Sequence, residues 1–216
     1  MVQGLTAVLF DLDGTLADTA PDLGFALNTL LTSRGLPALS LESIRPEASN
    51  GVRGLLGLGF SISPQDPGYE ALRLGFLEIY MENLCRNTRL FEGMTELIEK
   101  IEEMGVPWGI VTNKPMKYTE PLVKLLGLDA GVVVGGDSCS HAKPHPEPLL
   151  FAAERLAVSP SRCLYVGDDR RDVEASLAAG MTSIVANYGY LSGGNQENWG
   201  AHGYIDHPLD LLAFID

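Results

Sequence analysis

One stretch restricts the fold of this chain more than any other: Ala7-Val8-Leu9-Phe10-Asp11-Leu12-Asp13-Gly14-Thr15. An apolar run of β-formers stops at two carboxylates one residue apart, and a glycine and a threonine follow at once. A strand that is apolar on both sides belongs inside a parallel sheet whose two faces are covered. Sites in open α/β sheets lie beyond the carboxyl ends of such strands. Two acids held together there repel unless a cation or a proton offsets the repulsion. The pattern therefore predicts a Mg²⁺ site with a carboxylate able to attack phosphorus.

The carboxy-terminal part alternates in the way a parallel sheet requires. Strands are expected at 106–112, 131–134, 162–167 and 182–186, with helices at 119–126, 148–156 and 172–179 between them. Gly127 and Gly180 stand where helix C-caps belong. Between the first strand and this βα series the pattern changes. Residues 21–34, 51–58 and 69–84 have helical spacing, and the turn-rich Ser61 to Gly68 separates the last two. No clear strand is expected there. The domain reading is a Rossmann-like, doubly wound α/β core at 1–16 plus 89–216, with an inserted α-helical cap at 17–88 that can act as a lid.

Composition narrows the partners. With 216 residues and 45% hydrophobic side chains, the chain can build a full core. A net charge of −13 argues against nucleic acid and anionic membranes, though not against a small phosphorylated metabolite met by local cations. No apolar run approaches the roughly 20 residues of a membrane helix, so a soluble, cytoplasmic protein is expected, as a monomer or weak homodimer. The 3 cysteines form no metal or disulfide pattern and are expected to be reduced thiols.

Four strand ends carry the chemistry. Asp11 is the candidate nucleophile, since a carboxylate attacking a phosphate monoester splits one hard displacement into two easier ones. Asp13 is the candidate acid/base, protonating the leaving alkoxide and then deprotonating water. Thr112 and Asn113, at the end of the second strong strand, can hydrogen-bond the phosphoryl oxygens, or serve a helix cap. Lys143 lies in Ala142-Lys143-Pro144-His145-Pro146, whose prolines stiffen the loop, so its ammonium can neutralise Asp11 and the phosphate, or simply face solvent. Gly167-Asp168-Asp169-Arg170-Arg171-Asp172 forms the last acidic end. Asp168 reads as the second metal carboxylate. Asp172 is expected to hold Lys143 or a metal-bound water, and Asp169 to be a further metal contact or a helix-start acid. Arg170 and Arg171 are expected to face solvent.

Taken in this order, the four ends resemble the motifs of the haloacid dehalogenase superfamily, and Val111-Thr112-Asn113-Lys114-Pro115 is similar to its phosphoglycolate phosphatase group. The likeness spans the whole chain. It implies a Rossmann-like core with a helical cap inserted after the first motif, and Mg²⁺ held by the Asp11 carboxylate, the Asp13 main-chain carbonyl and Asp168. Segments outside the motifs (67–74, 90–94, 198–201 and 206–209) resemble a narrower bacterial group that acts on a carboxylate-bearing amino-sugar phosphate. In such enzymes the cap carries a substrate loop, which here corresponds to Ser49-Asn50-Gly51-Val52-Arg53. Arg53 can grip a carboxylate in two-pronged fashion, and Ser49, Asn50 and Gly51 can meet sugar polar groups. Asn50 stands where a glycine-like residue also fits. A sugar phosphomutase shares these motifs but returns the phosphoryl group to the sugar. A receiver-type signalling module lacks the large helical insert and takes phosphate on a later strand.

Overall fold

The run that ends at Asp11 sits at the centre of the main sheet. The computed structural model describes residues 7–191 and 194–215. Strand β1 (Ala7–Phe10) is followed by β2 (Ala17–Asp18) and four helices: α1 (Ala20–Thr32), α2 (Leu41–Ala48), α3 (Gly51–Phe60) and α4 (Tyr69–Glu82). The chain returns through β3 (Arg89–Leu90) and α5 (Met94–Glu103). Alternation then runs β4 (Trp108–Val111), α6 (Met116–Leu125), β5 (Val132–Val134), α7 (Glu147–Arg155), β6 (Cys163–Gly167), α8 (Arg170–Ala178), β7 (Thr182–Ala186) and β8 (Gly203–Ile205). The six-stranded sheet has the order β5-β4-β1-β6-β7-β8, and every pairing in it is parallel.

This order explains where a site can form. β1 pairs on one side with β4 and on the other with β6, so the connections leave its carboxyl end in opposite directions and open a crevice there. Successive β1 residues serve opposite faces. Val8 and Phe10 join a core with Leu97, Ile101 and Leu122, whereas Ala7 and Leu9 pack with Leu149, Ala152 and Ala175. Both faces are covered, as the unbroken apolar run requires.

Helices α1 to α4 build a cluster of their own around Leu27, Leu31, Ile44, Leu55, Phe76 and Tyr80. Tyr118 of α6 and Tyr190, after β7, reach into that cluster from the sheet side. The chain enters and leaves this helical layer through an antiparallel ribbon, Ala17 opposite Leu90 and Asp18 opposite Arg89. Buried Asp22 ties the two passages together by accepting from the Asn87 and Thr88 main-chain N–H groups and the Thr88 hydroxyl.

Several elements differ from the sequence reading. β2 lies in a region where no strand is expected, because two residues carry no periodicity. Helix α2 is not announced by the sequence either: it has a proline at 46 and buries only Ile44 and Ala48. Its start is fixed by Ser40, whose side chain accepts from the Ser43 N–H. Helix α5 has a readable pattern, with Met94, Leu97, Ile98 and Ile101 on one buried face.

Candidate active site

The acids at the ends of β1 and β6 converge. Carboxylate oxygens of Asp11, Asp168 and Asp172 lie within 4.8 Å of one another, all buried. Asp168 is held from both sides: Thr15 Oγ1 donates to Oδ1 at 2.9 Å, and the Tyr190 N–H donates to Oδ2 at 2.8 Å. Its close walls are glycines. A Cβ on Gly14, whose φ is +85°, would stand 2.2 Å from Asp168 Oδ2, and one on Gly189 would stand 2.3 Å from Asp168 Cβ.

Lys143 is the counter-charge. Its side chain is 3% exposed, and Nζ lies 2.9 Å from Asp11 Oδ1 and 2.7 Å from Asp172 Oδ1. An ammonium has three N–H bonds. They go to Asp172 Oδ1, the Val111 carbonyl at 3.0 Å and the Tyr165 hydroxyl at 2.7 Å. Asp11 Oδ1 is buried, and its ion pair with Lys143 is its one polar contact among the described residues. A carboxylate oxygen left in that condition is suited to bind a hard cation or to attack an electrophile.

Burial pushes the Asp11 carboxyl up to about 7, against the opposing charge of Lys143 and with the help of Asp172 and Asp13. Asp168 is raised well above the usual carboxylate range by burial, then by Asp11 and Asp172. Burial works against charge on Lys143, but Asp11 and Asp172 more than offset it, so the ammonium is held firmly. A site in which two acids resist ionisation beside a fixed ammonium is short of positive charge. The oxygen donors present, Asp11 and Asp168 first, fit a hard divalent cation.

Asp13 points elsewhere. Its two oxygens lie 2.9 and 3.0 Å from Lys114 Nζ, and Thr19 Oγ1 also donates to it. The Lys114 and Asp13 side chains are 8% and 15% exposed. Sequence reasoning missed Lys114 as a site residue; its place directly after Thr112-Asn113 is the available signal.

Thr112 lines the site and accepts from the Lys114 N–H. Asn113, expected to meet phosphoryl oxygens, has its carboxamide turned to the Lys143 main chain: Nδ2 donates to the Lys143 carbonyl at 2.8 Å and Oδ1 accepts from the Lys143 N–H at 2.9 Å. It fixes the loop that carries the lysine. Asp172 holds Lys143, and its Oδ2 accepts from the Asp169 N–H. Asp169 caps α8, taking the Arg171 N–H at 2.8 Å. Its carboxylate faces Arg171 and lies outside the acidic cluster. Arg170 pairs with Glu174 on the surface, in keeping with a solvent-facing position. Arg171, expected to face solvent, is only partly exposed: it bonds Asp169 and the Ser49 carbonyl of the helical layer.

Above the acids lies a cavity of about 550 Å³ between the sheet and the helices. Asp11, Asp13, Thr112, Asn113 and Lys143 line its floor. Ser49, Asn50, Gly51, Val52 and Arg53 line it from the helical side, with apolar walls from Phe76, Leu77, Tyr80 and Tyr118. Arg53 is exposed at its rim. Tyr190 is invisible to sequence reasoning. Its hydroxyl accepts from the Thr19 and Ala20 N–H groups at 2.7 and 2.9 Å and lies 2.9 Å from Asp18 Oδ1, so it caps α1 where Thr19 does not.

The profile of the haloacid dehalogenase-like hydrolases matches residues 8–186. An N-acetylmuramic acid 6-phosphate phosphatase of Pseudomonas putida is 44% identical over 215 residues, covering 98% of this chain and 96% of the relative. A phosphoglycolate phosphatase of Xanthomonas campestris pv. campestris is 42% identical over 208 residues, covering 95% and 94%. The crystal structure of a predicted phosphoglycolate phosphatase from Haemophilus somnus superimposes with a TM-score of 0.87 at 27% identity, covering 100% of both chains. With that profile across most of its length and relatives aligned nearly end to end, the chain belongs to the haloacid dehalogenase-like hydrolases, among their phosphomonoesterases.

Proposed function

We propose that this phosphatase is Mg²⁺-dependent, works through an aspartyl-phosphate on Asp11, and hydrolyses N-acetylmuramic acid 6-phosphate. The observation that carries the nucleophile assignment is the buried Asp11 Oδ1, whose polar contact among the described residues is the Lys143 ammonium alone. Asp11 attacks phosphorus, Thr112 hydrogen-bonds a transferring oxygen, and the Lys143 ammonium supplies opposite charge beside them. Asp13, on the cavity wall, protonates the leaving alkoxide and then takes the proton of the water that opens the aspartyl-phosphate. Asp11 and Asp168, with the Asp13 carbonyl, would hold Mg²⁺, which supplies positive charge beside the phosphoryl group. Residues 17–88, with α1 to α4 at their centre, act as a cap that keeps water from this chemistry.

The substrate reading rests on the size and lining of the cavity. About 550 Å³ with an aromatic wall suits a sugar ring, whereas a two-carbon phosphate leaves most of that space to water. Relatives bearing the sugar-phosphate name at 44% and 40% identity support the same reading. The runner-up is 2-phosphoglycolate, favoured by the name of the 42%-identical relative. The test is phosphate release with Mg²⁺, comparing kcat/KM for the two compounds. A hundredfold preference, about 2.7 kcal/mol of transition-state discrimination, decides between them. A preference for 2-phosphoglycolate overturns the sugar reading.

A further inference from the structure

The loop at 49–53 belongs to the helical layer, but its anchor belongs to the sheet. Arg171, in the first turn of α8, forms a fork with Asp169: Nε lies 2.7 Å from Oδ1 and an Nη 2.8 Å from Oδ2. Asp169 is itself immobilised, because its Oδ1 also accepts the Arg171 N–H as the cap of α8. The guanidinium is therefore fixed before it meets anything else. From there it donates to the Ser49 carbonyl at 2.7 Å. Ser49 is the C-cap of α2, where carbonyls lack helical partners and carry partial negative charge.

The residues just after Ser49 give this contact its meaning. Ser49 and Asn50 form a turn, and Gly51 at φ +58° opens α3, which carries Val52 and Arg53 along the cavity wall. The Ser49 hydroxyl oxygen is buried with no hydrogen-bond partner among the described residues, and Ser49 lines the same cavity. Asp22 and Tyr190 tie the passages at 18–22 and 87–88, Arg45 of α2 pairs with Asp18, and Tyr80 of α4 meets Tyr118 and Lys114 on the sheet side. Arg171 reaches the loop itself.

We propose that Arg171 is a positioning residue that pins the 49–53 loop over the cavity and so sets how tightly a bulky phosphate monoester is held. It acts through the Ser49 carbonyl and touches no reacting atom. The specificity half of the proposal rests on the sugar-phosphate reading, whereas the pinning half stands without it.

The experiment compares wild type, Arg171→Met and Arg171→Lys in two measurements. Hydrogen–deuterium exchange of the substrate-free proteins reads the loop directly: amides at 49–54 are expected to exchange about tenfold faster in Arg171→Met, with β1 and β6 unchanged. Steady-state kinetics then reads discrimination. KM for N-acetylmuramic acid 6-phosphate is expected to rise about 10- to 100-fold, with kcat falling less than about threefold, and kcat/KM for p-nitrophenyl phosphate is expected to fall at least tenfold less. Arg171→Lys keeps the charge but loses the fork, so it should lie between the other two. Asp169→Asn provides an independent variant, since it keeps an acceptor for the α8 cap while loosening the fork. Unchanged exchange at 49–54 in Arg171→Met and Asp169→Asn overturns the proposal. Equal losses on the sugar phosphate and p-nitrophenyl phosphate overturn its specificity half. A wild-type preference for 2-phosphoglycolate overturns the sugar reading and leaves the exchange result to decide the pinning.

Discussion

Tyr190→Phe removes one oxygen atom and its hydrogen bonds to Asp18, Thr19 and Ala20. The hydroxyl accepts from two main-chain N–H groups, Thr19 at 2.7 Å and Ala20 at 2.9 Å, and pairs with Asp18 Oδ1 at 2.9 Å. Thr19 and Ala20 are fully buried, so water does not replace the lost acceptor without rearrangement. Each buried donor left unsatisfied costs about 1–3 kcal/mol. Because the two donors share one acceptor and relax together, the combined loss is expected near 2–4 kcal/mol rather than the full sum. For a chain of this length that corresponds to a fall of about 5–15 °C in Tm. The assay is thermal and urea unfolding followed by tryptophan fluorescence, because Trp108 and Trp199 are both buried. Under the proposed Mg²⁺ reading, metal binding is expected to survive the change, because Asp168 is held by the Tyr190 main-chain N–H, which phenylalanine keeps. A loss below about 0.5 kcal/mol would refute the reasoning, since it would mean that the α1 donors find another partner.

Asp11→Asn should fold normally and lose turnover by at least about four orders of magnitude, and a phosphoenzyme trapped by acid quench and mass spectrometry in wild type should be absent from the variant. Gly14→Ala should lose at least about a hundredfold in kcat and weaken Mg²⁺ binding, because its Cβ would stand 2.2 Å from Asp168 Oδ2; full activity would show that Asp168 can move without consequence. Arg53→Ala should raise KM for carboxylate-bearing substrates by about tenfold, and an equal effect on p-nitrophenyl phosphate would count against carboxylate recognition. In chelator, Tm should fall as pH rises from 5 to 8. The Asp11 carboxyl is raised from 3.8 to about 7 in the fold, so its contribution is complete below about 4 and is lost as pH climbs through 7. Asp168 acts in the same direction. Mg²⁺ should recover more stability at pH 8 than at pH 5.5, and Asp11→Asn should flatten the profile.

What is legible in the sequence and what is hidden divide by distance along the chain. The run before Asp11, and the acids after Val166, announce their strand and its end within a few residues, because burial of both faces leaves no polar position until the site begins. The same holds for Thr112 at the end of β4, whereas Lys143 sits in a loop well beyond the end of β5 at Val134, marked in sequence only by Pro144 and Pro146 after it. Arg171 reads as solvent-facing in sequence because its partner Ser49 is 122 residues away. Tyr190 caps a helix 170 residues before it. No local periodicity encodes such pairings. Asn113 stands at its strand end as the sequence suggests, but its direction depends on a loop 30 residues later. Helix α5 is a different case: the pattern is present at 94–101 and requires only counting.

The ribbon at Ala17–Asp18 and Arg89–Leu90 has a consequence for how such a chain can diversify. Facing residues on antiparallel strands lie only about 5 Å apart. The roughly 70 residues between them therefore begin and end at nearly one point, so their replacement asks nothing of the strand register on either side. Recognition can drift, lengthen or be exchanged as a cassette while the phosphoryl chemistry beneath is inherited unchanged. A graft that joins Asp18 to Arg89 by a short turn, or by the helices of a relative, is the natural unit for redesigning which phosphate this scaffold accepts.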